Sequence, residues 1–102
     1  MSAMIGRIQA TPGNRDALAK ALSDGMGEMP GCLMHMIAVE PGDGDGVWIS
    51  ECWVEEEAHQ AWLASDATRA LVESLAPLMV GYSERHELNP IDLAVADYSE
   101  QE

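Results

Sequence analysis

An α+β fold, with helices on one face of a four-stranded antiparallel sheet, is what three features of this 102-residue sequence predict. Four segments, 3–10, 32–39, 47–54 and 82–88, carry the apolar runs or the period-two alternation of β-strands. Apolar side chains recur at helical spacing after the first segment and again after the third. Turn residues separate these stretches, so the order reads strand, helix, strand, strand, split helix, strand.

Ala3 to Ala10 sets Met4 and Ile8 on one face and Ala3 and Ile5 on the other, the pattern of a central strand covered on both sides. Thr11-Pro-Gly-Asn14 is a turn leading into a helix cap, after which Ala17, Leu18, Ala21, Leu22 and Met26 form a stripe expected to face the sheet. Gly25, Gly27, Pro30 and Gly31 end that helix. Cys32 to Val39 is apolar throughout except His35, which again predicts burial on two faces. Residues 40–46, Glu-Pro-Gly-Asp-Gly-Asp-Gly, fit a hairpin loop whose acids stay in water. Val47, Ile49, Glu51 and Trp53 then alternate with Trp48, Ser50, Cys52 and Val54, which makes Glu51 the odd member of an apolar face.

Glu55, Glu56 and Glu57 suit a first helical turn, where carboxylates meet exposed amides, and Ala58, Trp62 and Ser65 share a face of the short helix they open. Ser65-Asp66 caps a second piece with a stripe of Ala67, Ala70, Leu71, Ser74, Leu75 and Leu78, which Pro77 bends or ends. Tyr82 to Leu88 is the last strand, and Asn89-Pro90 closes the fold. This order is the split βαβ plan of a ferredoxin-like sheet. Such a sheet leaves one face bare, and the economical cover for apolar residues there is the same face of a second copy, so a homodimer forming a dimeric α+β barrel is expected.

Charge narrows the range of partners. Eighteen Asp and Glu against five Lys and Arg leave a formal net charge of −13, so nucleic acid and anionic membrane surfaces repel the chain. Phe is absent and seven Met supply bulk, which gives an interior that adapts to irregular shapes. One domain is expected over 1–90, followed by an acidic tail, 91–102, that holds Asp92, Asp97, Glu100 and Glu102. The opening residues have neither the apolar core of a signal peptide nor the character of a transit peptide, and no stretch reaches the ~18 apolar residues of a membrane span. A cytoplasmic protein is expected. Cys32 and Cys52 are too few for a disulfide scaffold and read as small buried thiols, with little support for zinc.

With the elements in order, local sequences resemble the antibiotic biosynthesis monooxygenase family. The matching pieces are Ile8-Gln-Ala-Thr-Pro-Gly13, Met29-Pro-Gly-Cys-Leu33, Glu51-Cys-Trp53, Ala61-Trp-Leu-Ala-Ser65 and Leu75-Ala-Pro-Leu78, which together span residues 5 to 88. The resemblance implies a dimeric α+β barrel of a kind that often oxidises quinols or aromatic polyketides with dioxygen, without metal, flavin or haem. An enzyme of that kind has to bind an electron-rich phenol, remove its proton and keep the resulting carbanion dry. The family also includes haem-degrading enzymes, marked by an Asn on the first strand, a Trp in the second helix and a later His. Gly6, Trp62 and Val72 stand at those positions here. Only the Trp is kept, so a haem-degrading role lacks its iron ligand and its amide.

Candidate site residues follow from these patterns. Trp62 is expected either to wall a substrate pocket or to anchor its helix in the core. His59, one turn earlier, is either a general base in the same cavity or a surface histidine behind three glutamates. Glu51 is costly on an apolar face unless it is paired or functional; Arg7 is the partner a structural ion pair calls for, and the alternative is a role as base. Trp53 on the same face, His35, His86 and Tyr82 complete the set of substrate-binding candidates, with Tyr82, Glu84 and His86 alternating onto one face of the last strand. Met34 and Met36 fall on the opposite face from His35, so the three cannot chelate a metal together. Asp43 and Asp45 lack the further carboxylates of a calcium loop. Three readings compete: a cofactor-independent monooxygenase acting on a quinol or polycyclic phenol; a non-catalytic binding or accessory dimer whose pocket holds a small apolar ligand or is filled with side chains; and a relative of the isomerases or haem enzymes that the resemblance groups with this barrel, disfavoured for haem by Gly6 and Val72.

Overall fold

The computed structural model describes residues 1–42 and 44–96; Asp43 of the acidic loop and the tail acids Asp97, Glu100 and Glu102 lie outside the described residues. The elements run β1 (Ser2–Ala10), α1 (Arg15–Met26), β2 (Cys32–Val39), β3 (Gly46–Trp53), α2 (Glu56–Leu63), α3 (Asp66–Leu75), a 3₁₀ turn (Ala76–Leu78) and β4 (Met79–Leu88). Every strand pair is antiparallel and the sheet order is β2-β3-β1-β4, so β1 is central as its two-sided patterning predicts. The fold is ferredoxin-like α+β. Among the described residues, no helix is long and apolar enough to cross a membrane.

Register fixes which side chains share a face, because directly paired residues point the same way. Met4, Glu51 and His35 lie in one row across the helix-covered face, and Ile8, Val47 and Val39 in another. Against this face α1 sets Leu18, Leu22 and Met26, and α3 sets Leu75, which together with Met4, Ile8, Ile49 and Trp53 make the core. The opposite face carries the rows Ala3, Cys52, Met34 and Ile5, Ser50, Met36. Among the described residues, no helix or strand lies over it.

Several expectations are corrected. Cys32–Val39 is an edge strand, with Leu33, Met36 and Val39 exposed, because within one chain only β3 borders it and α1 covers part of one face. Ala17 on α1 and Ala67, Ala70 and Ser74 on α3 are exposed, since each helix buries a narrower stripe than its composition allows. The last strand starts three residues early, at Met79, directly after the turn that holds Pro77. Arg7 does not pair with Glu51: the register places them on opposite faces of the sheet. Arg7 instead clasps Glu40 at the start of the hairpin loop, donating from Nε and Nη2 at 2.9 and 2.8 Å. The Trp48 indole and the Gly46 amide also donate to that carboxylate. Arg15 of α1 holds the same loop by donating to the carbonyls of Glu40, Gly42 and Gly44.

Candidate active site

A cavity of about 170 Å³ lies between the helices and the sheet. Met4, Ile8 and Ile49 form its floor, α1 closes one side with Leu22 and Met26, and α3 closes the other with Leu71, Val72 and Leu75. Its polar groups come from Glu51 on β3, His59 on α2, Thr68 on α3 and Tyr82 on β4.

Glu51 and His59 are the two buried ionisable residues of the core, at 6% and 2% exposure. Strand alternation puts Glu51 on the core face two residues before Trp53, whose indole N–H donates to Glu51 Oε1 at 2.9 Å. This bond answers part of the cost of burying a carboxylate. His59 reaches the same place from α2. Its ring stacks on Trp53, with centroids 4.9 Å apart and planes 17° from parallel, and its Nε2 stands 3.6 Å from Glu51 Oε1, just beyond hydrogen-bond reach. Among the described residues, His59 Nε2 is fully buried with no hydrogen-bond partner. Trp53 therefore backs one group and fixes the other. It is itself wholly buried behind the cavity wall.

The aromatic side walls are held as firmly. The Trp62 carbonyl accepts from both Ser65 Oγ and Thr68 Oγ1, which fixes the backbone at the corner where α2 passes into α3. Tyr82 lies across Gly6, where a Cβ would stand 2.7 Å from Tyr82 Cε1. Half of Tyr82 remains exposed while its inner side is crowded; burial, and then the Glu51 charge, push its phenol above the ordinary value. At neutral pH it is a neutral O–H donor.

Four of the sequence candidates thus meet at one cavity: Glu51, His59, Trp62 and Tyr82. The surface alternative for His59 does not hold, because the α2 face that carries it turns inward. Trp53 supports the site from behind. His35 is level with Glu51 in register but exposed on edge strand β2, and His86, paired with Ile5, stands on the bare face 3.7 Å from Glu84. Neither reaches the cavity. The register shift between Arg7 and Ile8 puts Tyr82 on the other face, so Tyr82, Glu84 and His86 do not share one as expected. The α3 wall escaped the sequence reading as a site, though Thr68, Leu71, Val72 and Leu75 carry the i, i+3, i+4, i+7 spacing of one helix face.

The model of the antibiotic biosynthesis monooxygenase family matches residues 1–74. The chain belongs to that family. A provisionally named antibiotic biosynthesis monooxygenase from Chloroflexus aurantiacus J-10-fl is 37% identical and superposes with a TM-score of 0.84 over 92% of this chain and 96% of its own. SnoaB, a cofactor-independent oxygenase from Streptomyces nogalater, is 14% identical with a TM-score of 0.71 over 90% and 94% of the two chains, a likeness of fold. No curated protein matches the sequence significantly. Within the family, this member does not fit the haem-degrading pattern: Tyr82 fills the space an amide side chain at position 6 would take, and Val72 offers no ligand.

Proposed function

We propose that this family member is a monooxygenase that oxidises an electron-rich phenol or quinol with dioxygen, with His59 taking the hydroxyl proton and Glu51 stabilising the imidazolium so formed. The observation that carries the reading is His59 Nε2, a buried and unpartnered nitrogen beside a buried carboxylate in an apolar cavity. An orphaned polar atom of this kind costs about 1–3 kcal/mol. A substrate hydroxyl supplies the missing partner.

Removing the proton makes the ring rich enough in electrons to reduce dioxygen, and apolar walls keep the anion from being quenched by water. For a quinol the balance closes without added reductant. Quinol and dioxygen give hydroxyquinone and water: one oxygen atom enters the ring as C–H becomes C–OH, the other leaves as water. The substrate supplies every electron, one pair from that carbon and one pair as quinol becomes quinone. Trp62 and Tyr82 confine the ring, and the neutral Tyr82 hydroxyl is a donor for a developing oxyanion. The bare sheet face supports a homodimer, and the two free thiols suit a reducing cytoplasm.

Oxygen uptake on a panel of quinols and anthrones, wild type against His59→Gln and Trp62→Ala, tests the proposal. Loss of the base is expected to lower kcat by about 10²–10⁴-fold. Saturable binding across the panel without turnover by the wild type would replace the enzyme with a small-ligand-binding dimer.

A further inference from the structure

The cavity is small. Its volume of about 170 Å³ lies below the ~300–1,000 Å³ of ordinary small-molecule sites, and just above the ~150 Å³ of an apolar protein cavity that takes up one benzene ring. We infer that the cavity admits a single-ring phenol or quinol and turns away fused two- and three-ring skeletons. The inference rests on the oxygenase reading above and narrows its substrate class, against the polycyclic substrates that family resemblance suggests.

Two close approaches set this size. At Gly25 of α1, a Cβ would collide with the Leu71 side chain of α3, so the absence of that carbon lets the two helices close over the cavity. At Gly6 the Tyr82 ring already lies against the bare backbone of β1. Both wall side chains have used the space behind them, and neither can retreat in that direction to admit a wider ligand. Polarity sets the orientation. Glu51 and His59 are buried at the inner corner, whereas Leu63, Val72 and Tyr82 are 43–50% exposed and form the mouth. A phenolic hydroxyl therefore points inward and a small alkyl substituent points out between these three residues.

Binding and turnover are measured separately. Under nitrogen, calorimetric titration with p-cresol and with 2-naphthol reports ring size alone; p-cresol is expected to bind at least about tenfold more tightly, although it is the less hydrophobic ligand. Leu71→Ala should then raise 2-naphthol affinity by about tenfold and close that gap. If Leu71→Ala fails to fold, Val72→Ala at the exposed mouth takes its place. Equal or tighter binding of 2-naphthol by the wild type, or no binding of either phenol, overturns the inference. Oxygen uptake on methylhydroquinone, 1,4-dihydroxynaphthalene and anthrone separates it from the parent reading. Turnover of all three keeps the oxygenase and removes the selection; selective p-cresol binding without any oxygen uptake keeps the selection and removes the oxygenase.

Discussion

His59 carries a cost that the core does not require. Its Nε2 is buried without a partner while its ring stacks on Trp53, so an apolar ring in the same place would keep the stacking and remove the orphan. His59→Phe is expected to raise stability by about 1 kcal/mol, seen as about 4–8 °C in Tm by thermal melt, while abolishing oxygen uptake. A drop in Tm would make His59 a structural core residue. Glu51 was legible in the sequence because a carboxylate stands out on an alternating apolar strand face. Its partner was not: parity along β1 and β3 says nothing of the register between them, and the observed register sends Arg7 to the other side of the sheet. His59 was legible only as a candidate, since a helix of eight residues gives barely two turns of periodicity, and three glutamates before it point to water.

At the scale of elements, the ladder between β1 and β3 is reinforced at the loop end of the β2–β3 hairpin by the Glu40 carboxylate, which Arg7 of β1 clasps. Hydrogen bonds from Arg7, first, and from Trp48 hold Glu40 at about 2 against an ordinary 4.5. A carboxyl lowered in the folded state contributes stability that is fully present above the ordinary value and is lost as pH falls through the lowered one. Wild type should therefore be more stable than Glu40→Gln above pH 4.5, with the difference vanishing as pH approaches 2; urea midpoints along that range measure it. A constant difference would mean that the clasp works through shape rather than charge. The α1–α3 contact gives a second expectation. Gly25→Ala adds up to about 1 kcal/mol of helix propensity, yet the new methyl drives the flexible end of Leu71 toward the cavity. Stability should hold within about 1 kcal/mol while p-cresol affinity falls; unchanged affinity would show that Leu71 has somewhere else to go. The chain order of the elements, the central place of β1 and the large apolar members of each helix stripe were readable from period and turn chemistry, but not how narrow a stripe each helix buries. The edge position of β2 was not, because an apolar run records that a strand wants cover without saying what supplies it.

For the molecule as a whole, that uncovered surface sets the last expectation. Ala3, Ile5, Met34, Met36, Trp48 and Cys52 share the bare face with Arg7 and Ser50, and Met36 is 57% exposed in the single chain. Pairing two such faces removes apolar surface from water at a cost in repulsion, because each chain carries a net charge of −13. Salt shortens the reach of that repulsion from about 10 Å at 0.1 M to about 3 Å at 1 M while leaving apolar burial in place. The proposed homodimer should therefore tighten as sodium chloride rises from about 0.02 to 0.5 M, the opposite of an interface held by ion pairs. Ile5→Glu, on the central strand, should yield monomers with an unchanged far-UV circular dichroism spectrum. The cavity lies on the helix-covered side of the sheet, opposite the bare face, so these monomers are expected to bind p-cresol as the wild type does. Sedimentation velocity across the salt series decides the matter: a wild type that stays monomeric at every salt concentration removes the dimer and leaves the Glu51–His59 site standing.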